Sequence, residues 1–196
     1  MDIVEIASLL QKEAQNLLST EILWNSLLSC GNVHLAGSTY LDLLIFPDLD
    51  VYYEPTNENV IPLFARVASE LINIKDVMSI ELEKEMYKRY KVPKGVCLQY
   101  RFNNGEHLWK VDIWALEDKN ILLEKMEETK LFKNKLTEKK RALILQTKHK
   151  LAAPFGRTPI GSSYLVYKAV LEENLDSVES IIAYIRQKGG NVDKLK

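Results

Sequence analysis

Residues 33–53 read Val-His-Leu-Ala-Gly-Ser-Thr-Tyr-Leu-Asp-Leu-Leu-Ile-Phe-Pro-Asp-Leu-Asp-Val-Tyr-Tyr. A short strand over Asn32–Ala36 ends at Gly37-Ser38. An apolar stretch through residues 39–47 closes on Pro47, which a regular helix cannot easily pass. A second strand then runs from Asp48 to Tyr53 and halts before Pro55. Asp48 and Asp50 are separated by one residue, so on an extended strand both side chains leave the same face, ~6.6 Å apart along the backbone. Two carboxylates side by side repel each other and lose hydration unless a cation sits between them. Just upstream, Gly37 allows a close backbone approach, and free N–H groups with the Ser38 hydroxyl suit the oxygens of a phosphate.

Downstream, Cys97–Phe102 and His107–Trp114 flank Asn103-Asn104-Gly105-Glu106, the pattern of a β-hairpin with an Asn-Gly turn. Asp112 lies between Val111 and Ile113 in this otherwise apolar strand, and a polar residue there needs a reason. Three carboxylates on one face make an oxygen-ligand site suited to Mg²⁺, which takes few protein ligands and completes its shell with phosphate and water. A phosphate cradle, nine intervening residues and then Asp-x-Asp suit two-metal phosphoryl chemistry. Lys110 shares the face of Asp112, and its position allows either a phosphate contact or an ion pair with an acid.

The rest of the chain supplies helices. Ile3, Ile6, Leu9, Leu10, Leu17 and Leu18 recur at helical spacing. Thr20 can cap a second helix through Ile22, Leu23, Leu27 and Leu28, with Gly31 placed to stop it. Pro62 suits a helix start, and Met78, Ile80 and Leu82 alternate as in a half-buried strand. From Glu117 the pattern is helical to about Leu151. A Pro/Gly-bearing loop follows over 153–161, and then two helices, the first with Ser162-Ser163 as its simplest cap, end before Gly189-Gly190. The expected organisation is α+β, a mixed sheet with flanking helices over residues 1–116 and a helical portion over 117–196.

Composition narrows the classes. The chain has 196 residues, 46% of them apolar, and a formal charge of −1, enough for a real core in a globular protein. No apolar run approaches the ~18 residues of a membrane helix. Asp2 and Glu5 stand where a secretory signal would carry bases, so export is not expected. Cys30 and Cys97, far apart, fit free thiols in a reducing cytoplasm. The near-neutral total hides a segregation. Residues 1–60 hold nine acids against Lys12, and residues 130–157 hold nine bases against Glu138. Such a run is most simply a solvated helix face, or else a cationic wall for a triphosphate or a nucleic-acid backbone.

Ala36-Gly37-Ser38, nine residues, then Asp48-Leu49-Asp50-Val51 resembles the hG[G/S]-x(9–13)-Dh[D/E]h pattern of the polymerase β-type nucleotidyltransferase superfamily, and Asp112 matches its third acid on a later strand. The resemblance covers roughly residues 20–116. It implies a nucleotidyltransferase-fold mixed sheet and transfer of an NMP from an NTP to a hydroxyl. Asp48 and Asp50 would hold two Mg²⁺. Asp112 would bind the catalytic metal and help deprotonate the acceptor hydroxyl, while Gly37 and Ser38 would grip the β- and γ-phosphates. ATP is the expected donor. The acceptor stays open among small molecules, proteins and RNA, because Thr39-Tyr40-Leu41-Asp42 lacks the Arg or Lys often seen there in aminoglycoside-modifying members. Two other readings remain: a binding or regulatory partner of the same fold, as in two-protein toxin–antitoxin pairs, and an RNA-end-modifying enzyme.

Among other residues, His34, His107 and His149 lack metal spacing and read as structural. Trp109 and Trp114 read as core or interface. Tyr164, Tyr167 and Leu171 read first as helix packing, and Arg157 as a loop arginine within reach of a ligand.

Overall fold

The sheet has five strands: β1 (Gly31–Leu35), β2 (Asp48–Pro55), β3 (Val77–Glu83), β4 (Gly95–Asn103) and β5 (Leu108–Leu116), in the spatial order β1-β2-β5-β4-β3. β2 and β5 are parallel, and every other neighbouring pair is antiparallel. The computed structural model describes residues 2–19, 28, 31–55, 59–73, 75–84, 92–153, 157–159, 161–190 and 192. The expected second helix lies, apart from Leu28, outside the described residues, as does Cys30. Cys97 is a buried free thiol.

Alternation along the strands divides the sheet into two faces. Leu49, Val51 and Tyr53 of β2 and Val111, Ile113 and Ala115 of β5 point into an apolar core. Leu10 and Ala14 of α1 (Ile3–Ser19) and Leu63, Phe64, Val67 and Leu71 of α3 (Val60–Leu71) cover them. The even-numbered residues of β2 and β5 therefore share the other face. A five-residue helix, α2 (Gly37–Leu41), links β1 to the loop before β2.

A second apolar cluster unites Leu41, Leu43 and Ile45 with the helices that follow the sheet: α4 (Lys119–Lys135), α5 (Glu138–Ala152), α6 (Ser162–Leu171) and α7 (Val178–Gln187). Ala7 of α1 joins it too. Arg141 of α5 donates from Nε to the Asp42 carbonyl at 3.1 Å and from Nη2 to its carboxylate at 3.3 Å. Asp42 has φ +59°, a left-handed conformation that Asp tolerates better than most residues.

The helical stretch expected from Glu117 to about Leu151 is two helices. Leu136 is extended, and the Thr137 hydroxyl accepts from the Lys140 N–H at 3.3 Å to start α5. An interruption this short hardly disturbs the apolar period, so only the cap chemistry marks it. Ser162 and Ser163 are not the cap of α6. Gly161 stands at that position with φ +77°, and Ser162 is buried.

One long side chain ties α1 to the hairpin. Glu13 Oε2 accepts from Trp109 Nε1 at 3.2 Å and from His107 Nδ1 at 3.0 Å, and Trp109 is fully buried. Glu13→Ala leaves the indole N–H without its partner, a loss of about 2 kcal/mol. For a chain of this size that lowers Tm by ~4–8 °C, and thermal melting should show at most half that drop for Glu13→Gln, which keeps an acceptor.

Candidate active site

Parallel pairing sets Asp50 directly beside Asp112 and Asp48 beside Lys110 on the face away from the main core. Ligand oxygens of Asp48, Asp50 and Asp112 all lie within 4.8 Å of one another. Each acid has a distinct environment. Asp112 is only 8% exposed, and both its oxygens are engaged: Oδ1 accepts from Gln99 Nε2 at 2.7 Å and Oδ2 from Lys110 Nζ at 2.9 Å. Lys110 also lies 3.1 Å from Asp48 Oδ1, but that buried oxygen receives no aligned hydrogen bond among the described residues. Burial, with the charges of Asp48 and Asp112, pushes the Asp50 carboxyl up to about 8. Burial also raises Asp48, against the pull of Lys110. Burial opposes the charge on Lys110, yet Asp48 and Asp112 more than offset it and hold its ammonium above the usual lysine range.

The donor set fits a hard divalent cation on chemical grounds. It is all carboxylate oxygen, and among the described residues one of those oxygens, Asp48 Oδ1, is buried with no hydrogen bond.

The turn before α2 is built against these acids. The Ala36 N–H donates to the Asp50 carbonyl at 2.9 Å, and the Asp50 N–H donates to Thr39 Oγ1 at 3.2 Å. Gly37 has φ +49°, and a Cβ there would sit 3.0 Å from Asp50 Oδ2. The positive φ favours glycine at this point, and a Cβ there would press on the Asp50 carboxylate.

Opposite the strands, α5 and α6 supply a cation. Lys148 is 2% exposed, and its Nζ donates to Ser38 Oγ at 2.9 Å, to Tyr167 OH at 3.2 Å and to the Leu43 carbonyl. Ser38 Oγ and Tyr167 OH are 3.0 Å apart. Among the described residues Lys148 has no carboxylate at ion-pair distance, though its charge favours the ionised forms of Asp48 and Asp50. A buried ammonium with only neutral partners, beside a serine hydroxyl and a glycine turn, is suited to an anion.

These groups line one cavity of about 670 Å³. Gly37, Ser38, Asp48, Asp50 and Lys110 all face it, and Asp112 lies behind Lys110. Arg157, Trp114 and Tyr164 line it as well. Tyr164 OH donates to Glu128 Oε1 at 2.6 Å, and Lys125 Nζ lies 4.8 Å from the Tyr164 ring centre. Lys148 and Tyr167 were hidden in a basic run and a packing stripe. A usable sign exists for the lysine, since Ile144, Leu145, Lys148, Leu151 and Ala152 recur at helical spacing and place it on the buried face of α5.

The basic run does not form one wall. Arg141 is buried on Asp42, Lys148 faces the cavity, and Lys130 and Lys150 pair with Glu127 and Glu179. His34 pairs with Glu54 at 3.3 Å.

The mixed sheet, with a glycine–serine turn ahead of two strand acids and a third acid on the parallel neighbour, has the nucleotidyltransferase-fold arrangement that the sequence resemblance implies. No family model and no curated protein matches the sequence. Among solved structures the chain is similar to the poly(A) polymerase GLD-2 in complex with GLD-3, with TM-score 0.55 and 16% identity over 87% of this chain and 58% of that one. It is also similar to the Cid1 poly(U) polymerase with Mg and 3′-dATP bound, with TM-score 0.57 and 18% identity over 82% of this chain and 48% of that one. A cytoplasmic RNA terminal U-transferase gives TM-score 0.50 and 15% identity over 86% and 52% of the two chains. At these identities the likeness is one of fold. The chain spans about half the length of the structures it matches. Among the described residues no helix is long and apolar enough to cross a membrane.

Proposed function

We propose that this chain is a Mg²⁺-dependent, cytoplasmic nucleotidyltransferase that moves an NMP from an NTP to an acceptor hydroxyl. Residues 1–116 form its catalytic core, and residues 117–196 cover the cavity. The observation that carries the reading is the pairing of Asp50 with Asp112 on parallel strands, beside a glycine turn that touches Asp50 and across from the buried Lys148. Asp48, Asp50 and Asp112 would hold two divalent ions, which supply charge neutralisation at the phosphates and at the attacking oxygen.

The chain's own groups do the positioning. The Gly37 turn and the Ser38 hydroxyl hold phosphate oxygens. Lys148 brings a positive charge, already stripped of water, to the place where negative charge grows on the leaving pyrophosphate. Asp112, paired beside Asp50 on the neighbouring strand, would receive the proton of the acceptor hydroxyl as it attacks the α-phosphorus in line. None of these steps needs a covalent enzyme intermediate, and orientation and electrostatics supply the rate.

The similar structures are named as RNA polymerases and transferases acting with A or U, so an RNA 3′-hydroxyl with ATP or UTP is the first acceptor and donor pair to test. Incubation with Mg²⁺, α-³²P-labelled NTP and an RNA oligonucleotide should lengthen RNA bearing a free 3′-hydroxyl and leave 3′-deoxy RNA unlabelled. Binding of NTP with no label transferred from any of the four NTPs to RNA or to a cell-extract component would favour the binding-partner reading.

A further inference from the structure

Resting on the metal-dependent reading above, we propose that Lys110 is an internal cation of the site. In the free protein its ammonium takes the place of one of the two divalent ions, so that the first ion binds alone and the second requires Lys110 to leave. Three observations carry this. Lys110 Nζ bridges two of the three acids, at 3.1 Å from Asp48 and 2.9 Å from Asp112, where a shared cation would lie. Both oxygens of Asp112 are engaged, Oδ1 by Gln99 and Oδ2 by Lys110, so displacing the lysine frees Oδ2 for an ion. Asp50 has neither contact: among the described residues no ion pair or hydrogen bond reaches its carboxylate, while its oxygen lies within 4.8 Å of the others.

The arrangement has a chemical logic. Three clustered carboxylates, one of them buried, repel one another, and a tethered ammonium neutralises part of that charge with no ion present. A phosphate entering the cavity, which Lys110 lines, offers the ammonium an alternative partner and frees Asp112 for an ion. The chain would then bind its full metal complement only together with nucleotide.

Titration of the whole protein with Mn²⁺, following the free-ion electron paramagnetic resonance signal, reads this directly. Wild type should take up one ion without nucleotide. Lys110→Met should take up two, with the first bound at least about tenfold more tightly, because the competing charge is gone. Lys110→Arg, which keeps the cation, should stay at one. Lys110→Met should also melt lower than wild type without metal and recover when Mn²⁺ is added, which separates a site effect from misfolding. One bound ion and unchanged affinity in a cooperatively melting Lys110→Met overturns this role for Lys110 and leaves the metal site standing. No bound Mn²⁺ in either protein, with or without nucleotide, overturns the metal site itself and this role with it.

Discussion

Asp50→Asn should lower NMP transfer by at least about a thousandfold, because it removes the one acid with no protein cation on it and with it a metal ligand. The same substitution should raise the melting temperature of the metal-free protein. Burial and the neighbouring charges push the folded Asp50 carboxyl to about 8, against an ordinary value of 3.8. Below pH ~4 the folded and unfolded states both carry the proton, and the group has no effect. Between pH 4 and 8 the unfolded chain gives up its proton while the folded chain keeps it, so the wild type loses stability as pH rises. Asparagine has no proton to lose. Relief of about 2 kcal/mol corresponds to a Tm higher by ~4–8 °C near pH 8, shrinking to nothing at pH 4. The gain should also vanish in saturating Mn²⁺, which stabilises only the wild-type carboxylate. Melts at pH 4, 6 and 8 with parallel label-transfer assays read both halves. A variant that melts lower at pH 8, or transfers label at the wild-type rate, would remove Asp50 from the metal site.

Lys148→Met should lower kcat/KM for the NTP by about a hundredfold and leave Tm unchanged or slightly raised. Methionine fills a similar buried volume and carries no charge. The ammonium is buried against a hydroxyl, a phenol and a carbonyl, with no carboxylate at ion-pair distance among the described residues, so its desolvation is poorly offset until an anion arrives. The Ser38–Tyr167 hydrogen bond at 3.0 Å does not involve the lysine and should survive. Steady-state kinetics against NTP concentration, paired with melting curves, distinguish the roles. A fall in Tm with unchanged kcat/KM would make Lys148 a structural prop for the Leu43 carbonyl instead of a phosphate ligand. Both expectations have the same form: a group that costs stability in the free protein is kept because a ligand completes its environment.

Local chemistry makes much of this molecule legible in one dimension. The period of two places Asp48 and Asp50 on one face wherever that strand goes, and the Asn-Gly turn commits residues 97–114 to a hairpin. The glycine at 37 has a reason that sequence suggests and structure sharpens: the turn is left-handed, and a Cβ would crowd the Asp50 carboxylate at 3.0 Å. Apolar spacing likewise marks the helices at both ends, although the two-residue break at Leu136-Thr137 escapes it.

What the chain order by itself determined is which side of each strand every acid would take. What only the tertiary structure decided is which strands would lie together. Asp50 meets Asp112 because β2 and β5 pair in parallel with one particular register, which slippage by a single residue would undo. That register is held by Leu49, Val51, Val111 and Ile113 packing beneath α1 and α3, a condition spread over the whole sheet. Lys148 reaches Ser38 across 110 positions of sequence for the same reason, through the burial of Ile144, Leu145 and Leu151 around it. Contacts between distant segments are selected by the burial they allow collectively, so no local stretch of residues encodes them.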